Sequence, residues 1–232
     1  MPVVTPTEPW ARPPKVVSPR NVQPWDGDVD IVGTSATIEG ATITGPLPNH
    51  VLPAGEDMSL SLTDCVLTGV SFADHASLTI DCTRCTLHTC DLSRLTVSSL
   101  DSVTLSDCKL IGTNLADGEF SDMVITGGIA RYLGIRMAAV TRTSLQDVEL
   151  TEADLYDAKL TDVTFDGCSL EAATVDRCQL TRVDLRGARH LGFTINGSLA
   201  GAIISSPQVF DLAYQFALSS GVSIEQRAEP TI

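Results

Sequence analysis

Large apolar residues recur every five positions along most of this chain, and that period restricts what the chain can fold into. In the stretch CSLEA-ATVDR-CQLTR-VDLRG (168–187), the third letter of each block is Leu or Val, and the first is small or modest in size. A period of five matches neither the α-helix, with about 3.6 residues per turn, nor the β-strand, in which side chains alternate. The pattern therefore predicts a repeat architecture.

The period can be followed through most of the chain. Between Leu100 and Ile195, twenty positions lie five residues apart, and eighteen of them are Leu, Ile, Val or Phe. The residues two places before them form a second set that is mostly small or β-branched. Residues 62–97 carry the same pattern in a shifted frame, which places a frame slip near 97–100.

The repeat region is bounded by segments of other composition. Its first fragment, ATIEG-ATITG, is followed by residues 45–57, where three Pro and two Gly predict a loop. We therefore assign 1–30 to an N-terminal arm and 31–204 to the repeats. A C-terminal helix is assigned to 205–221 and a tail to 222–232.

The repeat resembles that of the pentapeptide-repeat family, whose motif is written A(D/N)Lxx, over roughly residues 31–200. The closest copy is Ala153-Asp154-Leu155, and near copies are Thr113-Asn114-Leu115 and Val183-Asp184-Leu185. The resemblance implies an all-β fold, a right-handed quadrilateral parallel β-helix in which four fives make one coil. It also implies that the large and small positions point inward and the other three outward.

Stacking is required by the same pattern, because no single coil can bury its own apolar face. Coils that pair as parallel strands lie about 4.8 Å apart. The fives counted above predict about seven coils, and hence a rod about 35 Å long.

The charge of the chain is strongly acidic, with a formal net value of -14. This argues against direct nucleic-acid binding, which needs Lys and Arg to neutralise phosphates. No apolar run is long enough to span a membrane, and no secretion signal is evident, so a cytoplasmic or intracellular protein, or a part of an assembled particle, is expected. The candidate acidic surface comprises Asp107, Asp117, Asp122, Asp147, Glu152, Asp157 and Asp162.

One outward column alternates in sign. Positions twenty apart become neighbours when coils stack, and Asp122, Arg142, Asp162 and Arg182 form such a series. We expect a ladder of ion pairs along this edge of the rod, weakly stabilising if it is exposed.

The C-terminal helix has two possible roles. Ser205 is a suitable N-cap, Pro207 lies in the first turn and Gly221 is a suitable stop signal for the helix. Its apolar residues could cap the last coil or could join two copies as a homo-oligomer, as the resemblance to some family members implies. The residues concerned are Val209, Phe210, Leu212 and Phe216.

The N-terminal arm is extended in character. Seven of the twelve prolines fall in the first 25 residues, together with Trp10, Trp25 and three basic residues. Such a segment favours extended or polyproline conformations. It could be a disordered leader, but two tryptophans favour an arm ordered on its own rod or on a protein partner.

The stretch TGGIARYLGIRMAAVTR (126–142) breaks the polar-outside rule. Outward positions there carry apolar side chains, and the stretch is also basic. It predicts either a partner-binding area or a local distortion of one coil. The candidate partner-binding residues are Arg131, Tyr132, Arg136 and Met137 here, and Trp10 and Trp25 in the arm.

The sequence indicates no catalytic, cofactor-binding or metal-binding residues. The spacing Cys82-x2-Cys85-x4-Cys90 resembles part of a metal site, but all three cysteines fall at inward positions. Cysteine often acts as a small buried apolar residue, and the fourth ligand that zinc requires is not evident. We therefore predict core packing for the cysteines and no enzymatic activity.

Two functions remain open at this point. The first is a non-enzymatic structural or protein-interaction module, an acidic rod tethered by its arm to a larger assembly such as a phage particle or injection machine. The second follows from the resemblance, because some pentapeptide-repeat proteins mimic B-form DNA and bind type II topoisomerases such as gyrase. Arg142 and Arg182 interrupt the carboxylate columns and argue against the second.

Overall fold

The computed structural model describes residues 11–27, 29–47, 57–75 and 77–224. They form a solenoid of about eight turns, built of short β-strands and ending in a helix. The predicted class, a parallel β-helix with a C-terminal helix, is confirmed. Within those ranges, no helix has the length and hydropathy needed to cross a bilayer.

The strands are short and follow one another around the rod. Those before the frame slip are β1 (Gln23–Pro24), β2 (Asp30–Val32), β3 (Ser35–Glu39), β4 (Ala41–Thr44), β5 (Met58–Thr63), β6 (Val66–Thr68), β7 (Leu78–Thr83) and β8 (Thr86–His88). The later elements are β9 (Thr96–Asp101), β10 (Thr104–Ser106), β11 (Glu119–Thr126), β12 (Ala139–Gln146), β13 (Lys159–Asp166), β14 (Thr174–Asp176), β15 (Gln179–Asp184), β16 (Thr194–Asn196), β17 (Ala202–Ile203) and α1 (Ser206–Ser219).

Successive coils pair in parallel, with equivalent residues stacked along the rod. Phe120 pairs with Val140 and Val140 with Leu160, a step of twenty residues each time. At the frame slip the step shortens, because Cys82 pairs with Leu100 and the register between β7 and β9 is irregular. This coil therefore has two residues fewer than its neighbours, and the stack of coils continues through it.

The core is a single apolar column enclosed by the coils. Its fully buried side chains include Phe72, Phe120 and Phe193. Stacking each large residue on its counterpart one coil away removes apolar area from water, at about 25 cal/mol per Å². The apolar residues that recur every five positions in the sequence therefore form one continuous core.

Each coil turns at four corners, and the corner residues have left-handed backbone. In one coil they are Asp122, Gly127, Tyr132 and Met137, with φ values of 53°, 65°, 57° and 57°. This conformation suits Gly and is tolerated by Asp and Asn, whereas other residues are disfavoured by about 1–2 kcal/mol.

The corners stack into four columns, which we name in the order in which the chain meets them. Corner A holds Asp64, Arg84, Ser102, Asp122, Arg142, Asp162 and Arg182, and corner B holds Asp107, Gly127, Asp147 and Gly167. Corner C holds Tyr132, Glu152 and Ala172, and corner D holds Asp117, Met137, Asp157 and Arg177. Corner C is diagonally across the rod from corner A.

The N-terminal end of the rod is covered by the residues that precede the repeats. Strand β2 pairs antiparallel with β3, and β1 pairs parallel with β4. Trp25 is half-buried and packs against the core beside β1. These contacts occupy strand edges that would otherwise be open to pairing with another chain.

The C-terminal end is covered by α1. Leu212 is buried against the core, and Phe216 packs beside it half-buried. The Gln208 side chain accepts the Ser205 amide at 2.7 Å and donates to the Leu185 carbonyl at 2.8 Å. The same glutamine thus caps the helix and pairs a main-chain oxygen of the last coil.

Candidate functional site

Corner A carries three bidentate ion pairs between adjacent coils. Arg142 donates to both carboxylate oxygens of Asp122 at 2.7 and 2.5 Å. Arg182 binds Asp162 in the same way at 2.5 and 2.6 Å. Arg84 and Asp64 form a third such pair at 2.8 and 2.6 Å. Of the predicted series, the pairs Asp122–Arg142 and Asp162–Arg182 are formed, and their geometry is the strong, two-point form.

The arginines change the acidity of these carboxyl groups. Hydrogen bonding from Arg182 lowers the pKa of Asp162 below its ordinary value, opposed by burial and assisted by the amide of Arg12. Arg142 lowers the pKa of Asp122 by the same contacts. A carboxylate with a lowered pKa stabilises the fold above its ordinary pKa, and the contribution is lost as the pH falls through the lowered value.

The N-terminal arm lies along corner A of its own rod. The backbone amides of Arg12, Lys15 and Arg20 donate to the carboxylates of Asp162, Asp122 and Asp64, respectively. The three distances are 2.9, 2.8 and 3.1 Å. The arm therefore runs from the C-terminal part of the rod towards its N-terminal end, opposite to the advance of the coils.

The spacing of the arm matches the spacing of the coils. Three residues of polyproline conformation span about 9 Å and five span about 15 Å. Asp162 and Asp122 are two coils apart, about 10 Å, and Asp122 and Asp64 are three coils apart, about 14 Å. An extended chain thus places an amide opposite each carboxylate without bending.

Two of the predicted acidic-surface residues are not on an exposed acidic surface. Asp122 and Asp162 are buried, at 8% and 3% exposure, because the arm covers them and an arginine pairs with each. That part of the prediction is wrong. The others remain accessible: Asp107 and Asp147 on corner B, Glu152 on corner C, and Asp117 with half-buried Asp157 on corner D.

The arginines predicted to make stretch 126–142 basic are all paired. Arg131 contacts Glu149 and Arg136 contacts Asp154, both on the following coil. The coil itself is regular, since Ile129 bridges to Glu149 at the usual step. The structure shows no local distortion there, and the arginine charges are locally neutralised.

The apolar side chains of this stretch remain exposed. Tyr132 is 55% and Met137 47% accessible, on corners C and D. Both are bulky residues in left-handed backbone, a conformation that is energetically less favourable for them than for Gly, Asn or Asp. They stay candidates for partner contact, with Arg131 and Arg136 at their side. Trp10, the remaining arm candidate besides Trp25, lies outside the described residues.

Tyr156 is a feature of this surface that the sequence did not single out. The guanidinium of Arg136 lies 4.6 Å from the centre of its ring, and that of Arg177 lies 5.4 Å away. Arg177 also donates to the Tyr156 hydroxyl at 2.8 Å. The three side chains come from three successive coils, so only the stacking distance of twenty residues could have revealed the cluster.

The seven cysteines are free thiols that pack inside the wall of the rod. Burial raises the pKa of Cys168 and of Cys178 to about 11. A thiol with such a pKa is protonated at neutral pH and is a poor nucleophile or metal ligand. No group of three or more His, Cys, Asp or Glu side chains suited to a metal ion occurs in the described ranges.

The outer face of α1 is an exposed apolar stripe. Phe210 is 81%, Tyr214 55% and Leu218 44% accessible, at a helical spacing of four. Val209 is also exposed, so of the four predicted residues only Leu212 and Phe216 face the rod. The helix therefore has a capping face and an apolar face that no residue of the described ranges covers.

Comparison with known proteins supports the repeat assignment. A family model described as Pentapeptide repeats, with eight copies, matches residues 138–171 and 149–187. No curated protein sequence matches the chain significantly.

Solved structures that resemble the chain are also pentapeptide-repeat proteins, with weak overall superposition. Trypsin-treated QnrB1, a plasmid-mediated fluoroquinolone resistance protein, is 14% identical, with 79% of this chain and 99% of that chain covered and a TM-score of 0.32. HetL, involved in heterocyst differentiation regulation in the cyanobacterium Nostoc sp. strain PCC 7120, is 17% identical, with coverage of 73% and 90% and a TM-score of 0.31.

Proposed function

We propose that this chain, whose residues 138–187 match the pentapeptide-repeat model, is a pentapeptide-repeat protein that acts as a non-enzymatic protein-interaction module, with its rods joined in pairs through α1. The observation that carries the proposal is the stripe formed by Phe210, Tyr214 and Leu218. Large side chains so exposed on a helix mark an interaction surface.

A second copy of the chain is the occupant that the charge distribution favours. The rod carries most of a net charge of -14, so two rods repel each other side by side. In contrast, Asp211 is the single charged residue of the α1 sequence SPQVFDLAYQFALS. A twofold contact between two copies of α1 buries the stripe against itself and keeps the acidic rods pointing apart.

The proposal predicts that Phe210→Asp converts the dimer into a monomer. The charged side chain would have to be buried in an apolar contact, which weakens association by at least tenfold. Sedimentation equilibrium across a concentration series measures the effect. Phe210→Leu is the matched control, because it keeps an apolar side chain at the same position.

Folding does not confound this test, because Phe210 is 81% exposed and does not contribute to the cap. A wild-type chain that is monomeric throughout the series would refute the paired rod. A dimer that survives Phe210→Asp would place the contact on another surface.

The partner-facing part of the proposed module is the side of the rod away from the arm. Carboxylates are exposed on corners B, C and D, and Tyr132 and Met137 stand among them. Such a surface suits a protein partner with a basic face and an apolar centre. A tether from the arm to a larger assembly stays a prediction, and residues 12–20 would have to leave corner A to provide it.

Mimicry of DNA is the second candidate, favoured by carboxylates on three corners. A duplex as long as eight turns, about 38 Å, carries about 22 phosphates, whereas the whole chain has a net charge of -14. Corner A, neutralised by arginines and covered by the arm, offers no such charge.

Gyrase-catalysed supercoiling tests the mimic directly. With micromolar protein at low salt, the mimic predicts inhibition that weakens when Asp107 and Asp147 are changed to Asn. Unaltered supercoiling together with no binding to gyrase would reject this candidate and leave the paired rod standing.

A further inference from the structure

We propose that corner A is a binding site for an extended, proline-rich basic peptide, and that residues 12–20 of the same chain are its resident, detachable ligand. This inference is independent of the proposed dimer, because corner A lies along the rod and α1 lies at its end. It rests on how the carboxylates are held, on which atoms of the arm they contact, and on which residues supply those atoms.

The carboxylates are preorganised to accept a main-chain amide. Each is fixed by a guanidinium from the next coil, so its orientation does not depend on the arm. A carboxylate has about four lone-pair positions, so acceptor capacity remains after a bidentate arginine has bound. Without the arm, Asp122 and Asp162 would present this capacity to an incoming peptide.

The arm is recognised through its main chain at three points. Pro13, Pro14 and Pro19 lie between the donors and have no amide hydrogen, but they favour the extended conformation that spaces the donors correctly. The residues between the anchors place no side chain in the core, and Val17 and Ser18 are exposed. The site therefore selects a peptide by the spacing of its backbone amide donors and not by the shape of its side chains.

Charge adds selectivity to the main-chain contacts. The three donors are Arg12, Lys15 and Arg20, which are also the basic residues of the first 25. Each places a positive side chain near the carboxylate that accepts its amide, and each assists in lowering that pKa. The preferred ligand class is thus an extended segment with basic residues at positions 1, 4 and 9 and proline between them.

The arm is held weakly enough to exchange. Three hydrogen bonds to charged acceptors anchor residues 12–20, whose side chains are half-buried or exposed. Segments without a buried side chain open locally without global unfolding. The arm remains bound because its attachment to the rod gives it a high effective concentration. Loosening the arm in the full chain should therefore uncover the site for the same segment in trans.

The test uses the full chain with Lys15→Pro and Arg20→Pro. These changes remove two amide donors while preserving extended backbone. The probe is a fluorescein-labelled peptide with the sequence of residues 11–22. We expect its anisotropy to report binding to the double variant that is at least tenfold tighter than binding to the wild type.

Two controls separate recognition from damage. Val17→Pro introduces a proline where the amide donates to no residue in the described part of the chain, and it should leave the site occupied, as in the wild type. A labelled peptide with proline at the positions of Lys15 and Arg20 should fail to bind the double variant. Hydrogen exchange of the Arg12 amide, which donates to Asp162 while the arm is attached, verifies that the arm has left the rod.

The outcomes decide the proposal. Tight binding of the unmodified peptide with loss for the proline-containing peptide supports it. Equal binding of both peptides, or no binding although exchange shows a released arm, overturns it. An arm that stays protected in the double variant also overturns it, because the two amides would then not be its anchors.

Discussion

The Gly128→Ala variant is expected to unfold at a temperature about 4–20 °C below the wild type. Gly128 has a φ of 86°, and a Cβ atom there would collide with the main-chain carbonyl of Cys108 on the preceding coil. The backbone conformation costs about 1–2 kcal/mol and the overpacking about 1–3 kcal/mol. For a domain of this size, 1 kcal/mol corresponds to about 2–4 °C.

The Cβ atom would meet main-chain atoms of Cys108, so no side-chain rotation relieves the collision. Gly134, in the same coil, is the matched control, since a Cβ there meets its nearest neighbour at an ordinary 3.6 Å. Thermal unfolding followed by circular dichroism compares the two. Equal melting temperatures for Gly128→Ala and Gly134→Ala would contradict the prediction, because they would show that adjacent coils move apart at Gly128 without a loss of stability.

The Asp162→Ala variant is expected to lose about 2–3 kcal/mol of the free energy of unfolding and to free the start of the arm. In the wild type, the Arg182 guanidinium and the Arg12 amide both donate to the Asp162 carboxylate, and the substitution removes this acceptor from both. Hydrogen bonds to a charged group contribute about 1.5–3 kcal/mol. Denaturant unfolding measures the first effect, and hydrogen exchange near Arg12 measures the second.

The pH dependence gives this prediction a distinctive sign. The pKa of Asp162 is lowered in the fold, so its contribution is present at neutral pH and disappears as the pH falls through that lowered value. Asp162→Ala should therefore lose less stability than the wild type between neutral and acidic pH. Asp162→Asn, which keeps an acceptor but no charge, should retain part of the stability. Parallel pH profiles for wild type and Asp162→Ala would contradict the assignment.

Much of the fold could be predicted because it follows from a one-dimensional period. Equivalent residues stack at a fixed step, so the ion pairs of Arg142 and Arg182 could be found by counting along the chain. The frame slip was visible for the same reason, although its form, an irregular register beside Ile80, was not. The Tyr156 cluster follows nearly the same step along the chain, but the five-residue period records apolar positions and not pairs of aromatic and cationic side chains.

The arm could not be placed in the same way. Contacts between Arg12 and Asp162 join residues 150 positions apart and use a main-chain donor that every residue except proline possesses. Composition indicated an extended segment, but it could not distinguish the arm's own rod from a partner. The burial of Asp122 followed from that placement, and the acidic surface was overestimated as a result.

The sequence by itself determined the solenoid, its inward positions and the helix at its end, because local periodicity and stacking leave one way to bury the apolar residues. Only the tertiary structure decided where the arm lies and which charges are exposed. It also decided that one face of α1 is exposed among the residues that the structure describes. Those features depend on contacts between residues that are far apart in the sequence. A repeat of five residues contains no information about such contacts.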